Sequence, residues 1–252
     1  MRGNLRRGLF LLALVAAWEA ASKSGLFQSW LVPSPVDVAR SLGEGISNGT
    51  IPRGILISLR RLAIGYSVSL FGGVALGLGM ARSVWLKDTL GTLVVGLQSL
   101  PSICWLPIAL LWFGLSESAI LFVVIAGSLF AITVATESGV RNVPPLYLRA
   151  ARVMGARGPQ LYLRVLLPAA LPSILSGMRL GWTFAWRSLM AGELLYASGG
   201  LGQLLQTGRE LGDLARVMAV MVAIVALGLV SEVLVFARIE ARVRERWGTD
   251  RT

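Results

Sequence analysis

Residues able to do covalent or acid–base chemistry are scarce in this 252-residue chain. It has no histidine, which excludes an imidazole proton relay, a His-ligated metal and a Ser-His-Asp triad. Its one cysteine, Cys104, lies in an apolar stretch, so no intrachain disulfide is possible and no thiolate metal site is suggested. No Gly-x-x-x-x-Gly-Lys-Ser/Thr phosphate loop occurs, so any ATP hydrolysis belongs to another polypeptide. What remains is charge set against apolar sequence. Arginines crowd the polar segments, while Arg187 and Glu193 lie within an apolar one. Such groups can orient a membrane protein, line a polar path or pair with each other. They do not form a catalytic or metal-binding set.

The elements that must position these charges are membrane helices. The chain is 55% hydrophobic with a mean hydropathy of +0.70, which points to a multi-span membrane protein. Net charge is +11, but the basic residues cluster in loops beside apolar runs, so topology explains them better than nucleic acid does. Apolar spans are expected at roughly 8–24, 55–81, 89–113, 118–139, 168–195 and 214–238. The reading is an all-α polytopic bundle of about six membrane helices, treated as one domain over 1–252. Arg2, Arg6 and Arg7 before an apolar run look like a signal peptide, but Trp18 to Ser22 makes a weak cleavage site, so the segment is read as a retained first span. With both termini inside, fifteen basic residues fall on inner segments and seven on outer ones. Residues 25–54 become an external segment, with a short surface helix over 36–42.

Within the spans, small residues recur every four positions at Gly65, Ser69, Gly73 and Gly77, a pattern that lets two helix backbones approach closely in lipid. Pro101 and Pro107 are expected to kink the third span, with Trp105 and Trp112 on either side of Pro107. Glu137 and Arg141 stand four apart in the order that favours a surface ion pair of about 0.3–0.5 kcal/mol. Arg187 reads equally as a lining of the path or as an interfacial or paired charge. Glu193, nearer the external end, reads as packing or gating. Pro168 and Pro172 are placed at the start of the fifth span, where proline is tolerated.

The longest polar stretch runs from Gly139 to Pro172, with Arg141, Arg149, Arg152, Arg157 and Arg164 and no acidic residue. Pro144-Pro145 stops one helix, and 146–154 can form a short new one. Its apolar face comprises Leu146, Arg149 (through its stem), Ala150, Val153 and Met154. Gly155 and Gly158-Pro159 end it. Ala150 and Ala151 are small enough for another surface to come near.

The spacing Ala150-Ala151, three residues, Gly155, nine residues, Val165-Leu166-Leu167-Pro168 resembles the EAA loop of permease subunits of ATP-binding-cassette (ABC) importers. Arg149 stands where that family has Glu, and Val165 replaces Ile. The stretch from Leu100-Pro101-Ser102 through Pro107-Ile108-Ala109-Leu110-Leu111-Trp112-Phe113-Gly114 to Glu117 resembles the nitrate, taurine and aliphatic-sulfonate branch, as does the run from Leu167 to Glu193. The resemblance covers about 18–239. It implies a type I importer permease in the bacterial cytoplasmic membrane, pairing with a second copy around a central path. Two ATP-binding subunits carrying ATP and Mg would dock on the loop about 139–167, through Tyr147, Arg149, Ala150, Ala151, Gly155, Val165, Leu167 and Pro168. An extracytoplasmic binding protein would face the Ser198-Gly199-Gly200-Leu201-Gly202 turn and deliver solute. Pro101, Pro107, Trp112, Arg187 and Glu193 are candidates for path and gate. The chain itself binds no cofactor and is not an enzyme on this reading. A proton-coupled transporter, a membrane-embedded enzyme and a purely structural subunit are the rivals. Within the importer reading, a thiamine-precursor substrate is the alternative to a sulfonate-type anion.

Overall fold

In hydrocarbon every backbone polar group has to find its partner within the protein, and this chain meets that demand with helices. The computed structural model describes residues 2–24, 32–195 and 199–247, and no β-strand occurs among them. The helices are α1 (Arg2–Lys23), α2 (Pro35–Ser47), α3 (Thr50–Arg82), α4 (Val84–Gln98), a 3-10 turn (Ser102–Trp105), α5 (Leu106–Phe113) and α6 (Glu117–Arg141). They continue with α7 (Pro145–Val153), α8 (Pro159–Leu161), a π turn (Tyr162–Leu166), α9 (Leu167–Glu193), α10 (Leu201–Glu210), α11 (Leu214–Ser231), a second π turn (Glu232–Ala237) and α12 (Arg238–Trp247).

Four stretches are long and apolar enough to cross a membrane: Thr50–Arg82, Glu117–Arg141, Tyr162–Glu193 and Leu214–Ala241. The sequence reading of six spans differs at two places. α1 is helical, but every 18-residue stretch of it contains at least three charged residues from Arg2, Arg6, Arg7, Glu19 and Lys23. The expected third span is not one kinked helix. α4 and the Ser102–Phe113 pair meet at 106°, so together they make at most one broken span. Pro101 has no N–H and drives Leu100 away from helical geometry, which stops α4. Pro107 sits in the first turn of α5, where its missing donor costs nothing. Pro168 and Pro172 also fall differently, because the helix already runs from Tyr162. The π turn ahead of Pro168 widens the coil where the proline ring would press on the Arg164 carbonyl.

The chain divides into two compact units, Met1–Ser58 with Tyr196–Leu229, and Leu59–Leu195 with Val230–Thr252. In the first, the Trp18 indole donates to the Pro33 carbonyl at 3.1 Å, joining α1 to α2. Ser34 and Asp37 form a capping box that starts α2. The Ser34 hydroxyl, then its N–H, holds the Asp37 carboxyl below its ordinary value. This cap therefore contributes fully above the unfolded carboxylate range and is lost as pH falls through the lowered value. The Leu201 N–H donates to Ser58 Oγ at 2.9 Å, anchoring the start of α10. Residues 25–31 and 196–198, which include Ser198 of the expected outer turn, lie outside the described residues.

The second unit is built around α6. A methyl group placed on Gly65, Gly73 or Gly77 of α3 would lie within 2.6–2.8 Å of Val124, Leu129 or Thr133 of α6. The Ser128 hydroxyl donates to Ser69 Oγ at 2.8 Å across the same seam. On an adjoining face α6 meets Gly177, Gly181 and Gly192 of α9, which pack on Ala135, Ile132 and Ile120, Ile132 also touching Gly73 of α3. Charge joins the same three helices: Arg61 Nη1 pairs with Glu193 at 3.1 Å, and Arg61 Nη2 with Glu117 at 3.0 Å. Arg60 also reaches Glu117, at 2.7 Å. Arg61 is 3% exposed and Glu193 0%, so this pair is internal rather than interfacial.

Two outcomes follow for detergent-solubilised protein. Gly73→Leu should lower stability by at least the roughly 1–3 kcal/mol of an overpacked core. Gly72→Ala, where the nearest atom is a flexible Leu129 methyl at 3.4 Å, should leave the melting temperature nearly unchanged. Glu193→Ala leaves the buried Arg61 guanidinium with only the half-exposed Glu117 and should cost up to about 3–5 kcal/mol, while the paired Arg61→Met, Glu193→Met change should recover much of it in thermal unfolding.

Candidate coupling surface and membrane cavity

α7 is a nine-residue helix between two long apolar ones. Pro144 and Pro145 set its entry, with Pro145 in the first turn. Its exit is a Schellman turn: the Ala156 N–H donates to the Ala151 carbonyl at 2.9 Å and the Gly155 N–H to Arg152 at 3.0 Å. The turn requires a left-handed residue, and Gly155 supplies it with φ +87°.

The two faces of α7 differ. Leu146, Tyr147, Arg149, Ala150, Val153 and Met154 are exposed, with Val153 at 90% and Met154 at 81%. Ala151 is buried, and Leu148 packs on a cluster of Val140, Val143, Leu166, Ala170 and Ile174. Ala150 and Ala151 therefore face different ways, since neighbours on a helix stand about 100° apart. Only Ala150 is open to another surface. Leu167 packs on the same cluster as Leu148, while Val165 lies in the π turn and Pro168 in the first turn of α9. The loop residues singled out by spacing thus divide into an outward row and an anchor into α6 and α9. Exposed apolar side chains beside Arg149 and Arg152 make this face of α7 a surface that could dock an apolar partner.

Glu137 is more buried than a surface pair would be. It meets Arg141 at 3.5 Å but also Lys87 of α4 at 3.3 Å, and its own side chain is 12% exposed. The pair is a bridge between helices.

A cavity of about 470 Å³ opens where α4 gives way to α5. Gln98, Ser99, Pro101, Ser102, Phe184 and Arg187 contribute to its wall. Pro101 and Arg187 are thus brought together. Pro107, Trp112 and Glu193 are not part of it: Trp112 lies edge-on to Phe122 at 5.6 Å, and Glu193 is committed to Arg61. Three features escaped the sequence reading, two of them with their signals present in the chain. Gly177, Gly181 and Ala185 repeat every four residues, as the α3 stripe does. Gln98, Ser99 and Ser102 interrupt an apolar run. The third is Arg61, since nothing local announces a partner 132 residues away.

The comparisons with known proteins agree with this geometry. The chain is similar to the aliphatic sulfonates transport permease protein SsuC of Escherichia coli K12, 33% identical over 236 residues, covering 94% of this chain and 89% of that one. It is similar to the taurine transport system permease protein TauC of the same organism, 27% identical over 205 residues, covering 79% and 74% of the two chains. Among solved structures it matches the inward-facing MetNI methionine ABC transporter with a TM-score of 0.67 at 23% identity, over 77% of this chain and 95% of that one, a likeness of fold. The family model of binding-protein-dependent transport system inner membrane components matches residues 73–245, a span that holds α7, the cavity and all of α6 and α9. This chain belongs to that family, and is therefore a multi-pass inner-membrane transport component rather than an enzyme.

Proposed function

We propose that this chain is the permease subunit of an ABC importer for a small oxyanion of sulfonate, taurine or nitrate type. The observation that carries the coupling part is α7, with its outward apolar row and its inward anchor at Leu148. A separate ATP-binding subunit, holding ATP and Mg, would receive the row of Leu146, Ala150, Val153 and Met154. Two such subunits below two permease copies, with an extracytoplasmic binding protein above, complete the assembly. Both termini and α7 then lie on the cytoplasmic side, in keeping with the basic loops.

The mechanism follows from packing. Closure of the ATPase pair moves α7. Leu148 transmits that displacement to the cluster that joins the end of α6 to the start of α9. The α6 seams are too tight for sliding, so the helices move together and the path changes its accessible side by a rigid-body switch. Hydrolysis resets it. The substrate class is drawn from the sulfonate and taurine relatives and from the branch motifs around Pro101 and Trp112. A thiamine-precursor substrate has no residue in this chain that favours it.

Pull-down of the tagged chain from its native membrane should bring an ATP-binding subunit with it. A chain that purifies alone and moves solute without ATP would be a secondary transporter. Gly155→Pro cannot adopt φ +87° and should abolish ATP-driven uptake by at least about tenfold while the chain still inserts. Arg149→Glu restores the residue usual in the family. Uptake should be retained, and loss of ATPase co-purification in this variant would mark a docking cleft that is acidic at this point.

A further inference from the structure

We propose that the cavity between α4 and α5 is a binding site for a small oxyanion, with Arg187 as its charged ligand. The claim that such an anion is cargo rests on the importer reading above; the binding claim stands on the geometry.

Four arginines lie more than a turn inside the ends of the long apolar helices: Arg60, Arg61, Arg179 and Arg187. Three of them face carboxylates. Arg60 and Arg61 meet Glu117, Arg61 also meets Glu193, and Arg179 meets Glu232 and Glu240. Arg187 has no ion-pair partner among the described residues. A guanidinium inside a membrane protein is costly unless it is paired or faces a polar cavity. Arg187 faces the cavity.

The rest of the wall fits the same ligand. Gln98 and Ser102 line it with Arg187, and neither side chain has a hydrogen-bond partner among the described residues. An amide N–H, a hydroxyl and a guanidinium are all donors, and no carboxylate lines the wall. Ser99 contributes differently, since its hydroxyl already donates to the Gly96 carbonyl at 2.7 Å. Gly127 keeps the wall open from the α6 side. A methyl group there would collide with Ser188 and lie 3.2 Å from Ser102 Oγ. The volume of about 470 Å³ holds a nitrate or a short-chain sulfonate with water. The forked guanidinium matches two oxygens of either anion. Phe184 supplies an apolar surface for the carbon chain of a sulfonate.

The test uses the full-length chain, purified in detergent with the subunits that accompany it, and sodium ethanesulfonate against sodium chloride at matched ionic strength. Ethanesulfonate should raise the melting temperature of the wild type. Arg187→Gln should weaken the apparent affinity by about tenfold or more, and Arg187→Lys, which keeps the charge without the fork, by less. Ser102→Ala and Gln98→Ala should each weaken it by a smaller factor without altering the unliganded melting temperature. No stabilisation of the wild type, or equal stabilisation of Arg187→Gln, would overturn the site. ATP-dependent ethanesulfonate uptake is measured in parallel. Uptake undiminished in Arg187→Gln would also overturn the site and leave the importer reading intact. Binding that depends on Arg187 without any uptake would uphold the site and remove the importer reading for this solute.

Discussion

The second unit of this protein depends on how closely α6 can be approached. Lipid offers no hydrophobic reward for bringing two apolar helices together, so association must come from contact. On α3 the contact is made by glycines whose missing methyls leave room for the α6 backbone. On α9 a second set does the same. α6 is consequently gripped on two adjoining faces, and Val123, Val124 and Ile132 are fully enclosed. Ser69 and Ser128 add a hydrogen bond inside one seam without forcing it apart.

This close packing explains why a guanidinium can be buried where Arg61 is. With α3, α6 and α9 held in register, Glu117 and Glu193 converge on one cation. Neither carboxylate alone would justify burial, since desolvation of a lone ion outweighs one pairing. The same rigidity gives meaning to the exception. Where the packed interior pairs its charges, Arg187 stands exposed beside a cavity with no ion-pair partner among the described residues, and this contrast is what the proposed anion site rests on.

In the proposed mechanism, motion enters from a different place. α7 packs Leu148 on the cluster around Leu166 and buries Ala151, and exposes the rest of its surface. A helix attached at one face and open on the other can be pulled without being unfolded. Gly155 and its Schellman turn prevent α7 from extending, so a displacement is passed on rather than absorbed. The two π turns fall at Tyr162–Leu166 and Glu232–Ala237, each inside a long apolar helix, where they alter the winding without breaking the span.

Much of this was legible in the chain. Length of apolar run determines that a segment is a membrane helix, because backbone groups in lipid have no alternative. Proline and glycine determine where α7 begins and ends, because their backbone limits are local. The loop spacing around Ala150, Gly155 and Pro168 was readable for the same reason, and so was the four-residue stripe in α3. The tertiary structure alone decided what the long-range elements do. It set Arg61 against Glu193, joined Lys87 to Glu137, turned Ala151 inward while leaving Ala150 out, and made Pro101 end a helix at a 106° bend instead of kinking one. Each of these depends on a partner helix distant in sequence. A residue's own neighbours set its conformation, but only the packed helices set which face meets lipid, cavity or counter-charge.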